Sequence, residues 1–391
     1  MNNFSYHNPT RLEFGKGTIA KLPRLISKDQ KILLLYGGGS IKYNGVWDQV
    51  HEALKGYQIQ SFGGIEANPD FDTCTKAIEM SRTSGCTYIL AVGGGSVLDA
   101  AKFIAAAHHA MDKGTIPTLE ESWELITGTK KITGALPIGA ILTLPATGSE
   151  MNANSVISRR ATKEKRAFAS RFVYPQFSIL DPETTFSLPE RQTANGIVDA
   201  FVHVAEQYLT RDINTPLQDR IAEGILKTLI SEGPKVLSNP RDYESRANIM
   251  WSCTMALNGL IGVGTIQDWA SHTIGHELTA FFGIDHGRTL AIVLPGVLEH
   301  EKAKKWPKLL MYAKNVWNLH QGDDQVLIDE AIAKTVLFFE SLGVGTRLRD
   351  YPGTENAPHL VGDRLSTLGW KMGEEETLDG QAAKEILLTR V

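Results

Sequence analysis

The stretch Tyr88-Ile-Leu-Ala-Val-Gly-Gly-Gly-Ser-Val-Leu-Asp-Ala-Ala-Lys102 decides how the chain is read. Tyr88–Val92 is a continuous apolar run of strand length, Gly93–Ser96 is a turn, and Val97–Ala107 is rich in strong helix formers. The order strand, glycine turn, helix occurs earlier as well. Lys31–Tyr36 enters Gly37-Gly38-Gly39-Ser40, a helical segment with Val46, Val50, Ala53 and Leu54 follows, and Ile59–Phe62 reads as the next strand. Further on, Pro137–Leu142 runs into Thr143-Leu-Pro-Ala-Thr-Gly-Ser149. Apolar strands without alternation, separated by helices, imply a parallel sheet covered on both faces, with its loops gathered at the carboxyl ends of the strands.

The texture changes after Asp181-Pro182. Phe177–Leu180 is the last β-like run, and from Leu188 the apolar spacing is helical, as in Ile197, Val198, Phe201, Val202, Ala205 and Tyr208. The expected organisation is an α/β domain over residues 1–182, with a Rossmann-like parallel sheet, and an all-α domain over residues 183–391. A length of 391 residues allows two or three domains. The uncharged stretch Ala247–Gln267 is interrupted by Asn248, Ser252, Thr254, Asn258, Thr265 and three glycines, and reads as a buried helix and turn rather than a membrane span.

Forty Lys and Arg against forty-four Asp and Glu leave a net charge of −4, so no basic field favours a nucleic acid or an anionic membrane. The first residues lack the apolar core of a signal peptide. Three cysteines, Cys74, Cys86 and Cys253, are too few for a disulfide framework and suit a reducing compartment. A cytoplasmic location is therefore expected. Glycine is enriched, 36 residues or about 9% against a usual ~7%.

A glycine turn that opens a helix presents backbone N–H groups, and the helix dipole, to phosphate oxygens. Neither GGGS loop is a G-x-G-x-x-G fingerprint or a Walker A sequence, so each alone could be no more than a tight turn; together with Thr143–Ser149 they suggest a dinucleotide site. An acid after the first such strand would bond an adenosine ribose and repel a 2′-phosphate. Gly37–Ser40 offers none, the next acid is Asp48, and Ser40 and Lys42 could receive a 2′-phosphate. A dinucleotide bound here is expected to be NADP(H).

Among eleven histidines, four stand out. Asp199 and His203 are i, i+4 on a helical stretch, His272 and His276 repeat that spacing, and His286 follows across a turn at Gly283. One carboxylate with two or three imidazoles can hold a divalent cation. The alternative is an ordinary hydrogen bond on a helix surface. His276-Glu277 does not extend to H-E-x-x-H, because residue 280 is Ala. His7, His51, His108, His109, His300, His320 and His359 have no persuasive partner and are read as surface or core residues.

Together, Gly93-Gly-Gly-Ser-Val-Leu-Asp-Ala-Ala-Lys102, Thr143-Leu-Pro-Ala-Thr-Gly-Ser-Glu150, Asp199-x-x-x-His203 and His272-x-x-x-His276-x9-His286 resemble the iron-containing, family III, alcohol dehydrogenases. The Asn195–Thr210 and Gln267–Ala280 runs look closest to the branch of NADPH-dependent aldehyde reductases and butanol dehydrogenases. The resemblance implies a fold of dehydroquinate synthase type. It makes Asp199, His203, His272 and His286 ligands of Fe²⁺ or Zn²⁺, and places His276 near the substrate as a proton relay. It assigns Gly38, Gly39 and Ser40 to the 2′-phosphate, Gly94, Gly95 and Ser96 to the pyrophosphate, and Asp99 to the neighbourhood of the nicotinamide. Thr143, Thr147, Asn152 and Lys165 are further cofactor contacts, with Lys165 at a ribose. The implied reaction is hydride transfer between NADP(H) and an aldehyde or alcohol, with the metal polarising the carbonyl.

Trp269, Phe281 and nearby aliphatics point to medium-chain or aromatic aldehydes, and the family suggests a homodimer pairing around Arg11–Phe14. The last fifty residues carry no familiar signature. A lyase resembling dehydroquinate synthase is the main rival; it would share the sheet, an NAD site and a metal, but calls for more basic residues around the metal. A catalytically silent binding protein would have no use for the spaced ligands and cofactor loops.

Overall fold

The computed structural model describes residues 1–391. Its strands are β1 Arg11–Phe14, β2 Lys31–Tyr36, β3 Gln58–Phe62, β4 Tyr88–Gly94, β5 Ile138–Leu144, β6 Asn154–Arg159, β7 Glu164–Ala169 and β8 Phe177–Leu180. The helices interspersed with them are α1 Leu22–Leu25, α2 Val46–Ala53, α3 Phe71–Thr83, α4 Gly95–Asp112 and α5 Trp123–Ile126. After β8 the chain is helical: α6 Glu190–Tyr208, α7 Pro216–Ser238, α8 Tyr243–Ala256, α9 Ala270–Phe282, α10 His286–His300, α11 Trp306–Asn315, α12 Asp324–Ser341, α13 Ala357–Thr367 and α14 Gly380–Leu388. The chain forms two compact units. One comprises His7–Leu188 and Arg241–Met250; the other comprises Met1–Tyr6, Pro189–Pro240 and Trp251–Val391.

The α/β unit is built on a six-stranded sheet of order β1-β8-β5-β4-β2-β3, parallel throughout. Why its strands read as unbroken apolar runs is visible in β2 and β4. Ile32, Leu34, Leu90 and Val92 enter the core on one face, with Val46 and Val50 of α2. Leu33, Leu35, Ile89 and Ala91 enter the core on the other, with Ile78 of α3 and Leu98, Phe103 and Ile104 of α4. Each face therefore selects aliphatic residues, as expected for a sheet sandwiched between helices.

The connection from β2 runs outward to β3, and the next one returns to the opposite side of β2 to place β4. The order reverses there, so the carboxyl ends of β2 and β4 flank a topological switch point, the usual location of a ligand in open α/β sheets.

The helical unit is organised around α6, of which all residues from Thr193 to Tyr208 are buried. A helix buried all round must satisfy any polar side chains it carries within the protein. α9 and α10 form part of one core with α13 and α14, through Ile274, Leu278, Ile292, Val293, Val361, Leu365, Ile386 and Leu387. The final fifty residues, which lacked a signature, thus supply much of the wall behind the histidine-bearing helices. No helix is long and apolar enough to cross a membrane.

Three features depart from the sequence reading. The units are not two continuous halves divided at residue 182, because Met1–Tyr6 pack with the helical unit and Arg241–Met250 with the α/β unit. The antiparallel hairpin β6–β7 and the edge strand β1 were not anticipated; their polar, part-exposed residues lack the apolar runs that marked the other strands. His108 is also partnered: its Nδ1 lies 2.8 Å from Ser81 Oγ, and its Nε2 lies 3.1 Å from Asp112 Oδ2 on the next turn. Burial lowers its pKa, and Asp112 acts in the opposite direction.

Leu34 is fully buried in β2. Leu34→Ala is expected to destabilise the α/β unit by about 2–5 kcal/mol, read as an earlier urea transition with the transition of the helical unit less affected.

Candidate metal centre and dinucleotide loops

In the helical unit, α6 offers Asp199 and His203 from successive turns, α9 offers His272, and His286 is the first residue of α10. Ligand atoms of Asp199, His272 and His286 all lie within 4.8 Å of one another. The Asp199 Oδ1 atom is 3.7 Å from His203 Nε2, 3.8 Å from His272 Nε2 and 3.6 Å from His286 Nε2. These separations are too long for hydrogen bonds. They are close to the spacing of about 3.3–3.6 Å between tetrahedral donors that sit about 2.0–2.2 Å from a cation.

The His272 ring is held from behind. Glu206, on the same face of α6 as Asp199 and His203, accepts a hydrogen bond from His272 Nδ1, and its other oxygen accepts from Ser271 N at 2.6 Å. The buried His272 Nε2 has no hydrogen-bond partner. A buried imidazole nitrogen left in that state and aimed at a carboxylate fits a divalent cation well, and three nitrogens with one oxygen suit Fe²⁺ or Zn²⁺.

The rings are packed as a group. His203 and His272 stack at 4.5 Å, and His286 lies 5.2 Å from His272. His276, one turn along α9, is half-buried with its ring 5.1 Å from that of His286. Trp269 enters α9 with φ 65°, a left-handed conformation costly for so bulky a residue, and its indole lies edge-on to His272 at 5.3 Å. It is fixed by an Nε1 donation to Gln267 Oε1 at 2.8 Å, while the preceding Asp268 is paired with the buried Lys305 at 2.7 Å.

Burial by itself would lower the His272 pKa, but the Glu206 and Asp199 carboxylates outweigh it and raise the ring to about 9. His203 goes the other way: burial dominates over Asp199 and brings it to about 4.

The three loops singled out in sequence adjoin one another at the carboxyl edge of the sheet. Tyr36 is in register with Val92, and Gly94 with Leu144. Gly95 opens α4 where a Cβ would sit 2.5 Å from Thr147 Oγ1, so the two loops can approach only without a side chain. No side chain caps the amino end of α4, which leaves its first N–H groups to an anion. Gly38 and Ser40 are exposed, and Gly39 between them has φ 98°. Lys42 lies with its ammonium 4.9 Å from the Tyr36 ring and 5.0 Å from the Trp47 ring.

Asp99, Thr143, Asn152 and Lys165 are all buried. Asp99 accepts from Ser149 Oγ at 2.7 Å and from Val156 N at 3.0 Å, and its carboxyl is raised by burial against the pull of Lys102 and Ser149. Asn152 receives Lys102 Nζ and donates to Thr147 O. Both side chains thus tie the loop to α4.

Residues 9–182 match the family described as "Iron-containing alcohol dehydrogenase", and residues 193–363 match "Fe-containing alcohol dehydrogenase family, C-terminal". The chain belongs to the iron-containing alcohol dehydrogenase family. It is 54% identical over 352 residues to the NADPH-dependent aldehyde reductase YqhD of Escherichia coli, covering 90% of this chain and 89% of that protein. Identity to NADH-dependent butanol dehydrogenase A of Clostridium acetobutylicum is 39% over 392 residues, 99% of each chain. The crystal structure of E. coli YqhD superposes with a TM-score of 0.95 at 50% identity, covering 100% of this chain and 99% of that one. That of NADH-dependent butanol dehydrogenase A from Thermotoga maritima does so with a TM-score of 0.91 at 36% identity, covering 100% and 99%.

In this member of the alcohol dehydrogenase family, sequence reading missed the residues that hold the site residues in place. Glu206 could have been found, since Asp199, His203 and Glu206 are spaced i, i+4, i+7 on one helix face. Lys102 could not. A lysine in an alanine-rich helix reads as surface, yet it is fully buried and donates to Ser149 Oγ at 2.7 Å, Asn152 Oδ1 at 3.1 Å and Asn154 O at 2.7 Å. Burial draws its pKa down to about 8, which still leaves three N–H donors for three acceptors at neutral pH.

The metal-free site carries a proton on His272 up to about pH 9, and a cation must displace it. Zn²⁺ binding to the stripped protein near pH 7.5 is expected to release about one proton and to tighten as pH rises. Calorimetry in buffers of different ionisation enthalpy measures this, and release near zero would contradict it.

Proposed function

We propose that this enzyme interconverts aldehydes and primary alcohols, using NADP(H) and one divalent cation, Fe²⁺ or Zn²⁺, held by Asp199, His203, His272 and His286. The observation that carries the reading is the convergence of Asp199, His272 and His286 donor atoms, with His203 beside them, in a buried setting where His272 Nε2 is left without a hydrogen bond. When bound, the cation supplies Lewis acidity toward a carbonyl oxygen and the nicotinamide supplies or accepts the hydride. The preference for NADP(H) is supported by the acid-free Gly37–Ser40 loop and by the greater identity to the NADPH-dependent reductase than to the NADH-dependent butanol dehydrogenases. We place the protein in the cytoplasm as a homodimer.

The protein's own contributions are positional and electrostatic. Asp199 brings the one negative charge of the ligand set, and the helices fix the imidazoles before any substrate arrives. Backbone N–H groups of Gly94, Gly95 and Ser96 take the pyrophosphate. Gly38, Gly39 and Ser40 admit the 2′-phosphate, while Lys165 reaches a ribose and Thr143, Thr147 and Asn152 complete the cofactor contacts. Asp99 steadies the loop nearest the nicotinamide. His276 delivers the proton to the product oxygen and takes it back in the reverse direction. Trp269 presents an apolar wall beside the ligands, which favours medium-chain or aromatic aldehydes over charged ones. A lyase of dehydroquinate synthase type is disfavoured, because the groups around His272 are the carboxylates of Asp199 and Glu206 and the indole of Trp269, a setting ill suited to a phosphorylated acid.

Steady loss of 340 nm absorbance with NADPH and butanal is expected, with kcat/KM for NADPH at least about tenfold above that for NADH, a gap of about 1.4 kcal/mol. Equal values would contradict the cofactor assignment. His286→Ala is expected to lose most of its bound metal and activity together, measured by metal analysis alongside the assay. His276→Ala should lower kcat by about 10²-fold or more while metal content stays at the wild-type level; full kcat between pH 6 and 9 would remove the relay role.

A further inference from the structure

Among the buried ionisable groups that the reaction does not use, Glu206 touches the metal centre most directly. It is 3% exposed and lies two turns along α6 from Asp199. One carboxylate oxygen accepts from His272 Nδ1 and the other from Ser271 N at 2.6 Å, in the first turn of α9. Its backbone carbonyl accepts from Asp268 N at 2.9 Å. Glu206 therefore grips both the entry of α9 and the ring that α9 presents.

We propose that Glu206 is a positioning residue for the metal: it fixes His272 in the tautomer protonated at Nδ1, so that only the Nε2 lone pair is available to the cation. The inference rests on the four-ligand reading above. An imidazole free to rotate could offer either nitrogen, or turn away from Asp199. With Nδ1–H committed to a carboxylate, Nε2 is left 3.8 Å from Asp199 Oδ1, facing the same point as His286 Nε2. The carboxylate also makes the ring a better electron donor, and partners of this kind are worth about 10–100-fold in metal affinity. Ser271 N adds a geometric constraint. Because one carboxylate serves both a backbone N–H and the ring, a change in its length or charge displaces the ring relative to the helix that carries it.

The test uses the full-length protein stripped with a chelator and titrated with Zn²⁺ against a chromophoric competitor, and separately loaded with Co²⁺. Glu206→Gln is expected to weaken Zn²⁺ binding by about 10-fold or more and to shift the visible d–d bands of the Co²⁺ form, with NADPH affinity unchanged. Wild-type affinity together with an unchanged Co²⁺ spectrum overturns the proposal while leaving the four-ligand reading intact. If the wild-type chain itself takes up no metal, both fall. Should Glu206→Gln fail to fold, long-range ¹H–¹⁵N correlations of the Zn²⁺-loaded wild type decide the matter, with the His272 ring assigned by comparison with His272→Gln. A proton on Nδ1 with Nε2 coordinated supports the proposal, and a proton on Nε2 overturns it.

Discussion

A buried carboxylate facing two buried imidazoles and a half-buried third is the constraint on which the helical unit depends. Leaving an ionised Asp in an apolar interior costs several kcal/mol unless charge or hydrogen bonds compensate it. Asp199 is 3% exposed, and its Oδ1 faces three histidine nitrogens at 3.6–3.8 Å. Those distances are short enough for electrostatic attraction yet too long for hydrogen bonds. Compensation in such an arrangement comes best from a positive charge at its centre, either a proton shared through a raised imidazole or a cation. The neighbouring features support that centre. Glu206 fixes one ring, Lys305 neutralises Asp268 at the entry of α9, and Trp269 accepts a strained backbone to lie against the rings.

The α/β unit meets a different constraint with the same economy of charge. An anion at the uncapped start of α4 would need backbone N–H groups unobstructed by side chains; the glycines at the end of β4 leave them open, and leave the loop little stiffness of its own. The stiffness comes from beneath. Lys102 bonds three acceptors spread over residues 149–154, and Asp99, one turn earlier on α4, bonds Ser149 and Val156. Two opposite charges three residues apart on one helix therefore clamp the loop after β5 and the β6–β7 hairpin onto α4. Partial neutralisation by each other and by hydroxyl and amide partners allows both to be buried.

Much of this was legible in the chain. Strands β2, β4 and β5 announced themselves because a sheet covered on both faces demands apolar residues along its central strands, and the glycine loops marked where they end; β8 and the half-exposed edge strand β3 were read from shorter apolar runs. The candidate metal site was legible in part as spacing, since i, i+4 places Asp199 and His203 on one helix face whatever the tertiary context; that His286 rather than His276 joins them was implied by the family resemblance, not by spacing. What stayed hidden had no local signal. The β6–β7 hairpin carries Lys165 among polar, part-exposed residues, and its pairing is set by packing on α4. Lys102 looks like a surface residue until the fold buries it, because its partners lie in a segment about 50 residues away; Glu206 shares a helix face with Asp199 and His203, but its partners on α9 could not be read from that spacing. His108 was passed over although Asp112 lies one turn on, since a single i, i+4 pair does not by itself distinguish a core histidine from a surface one.

The choice of dinucleotide turns on a smaller balance. Relatives of this chain include enzymes named for NADPH and others named for NADH, so the scaffold tolerates either and a few side chains after β2 must discriminate. Lys42 rests over Tyr36 and Trp47. A cation over aromatic rings at an exposed site gains about 0.5–1 kcal/mol, whereas a hydrogen bond to a charged group contributes about 1.5–3 kcal/mol. The ring contacts are therefore too weak to keep the ammonium from a 2′-phosphate presented at Gly38–Ser40. They bias the long side chain toward that loop, which would reduce the entropy lost on engaging a 2′-phosphate there. An acid in the same loop would reverse the outcome by repulsion alone, and the sequence from Gly37 to Gly45 contains none.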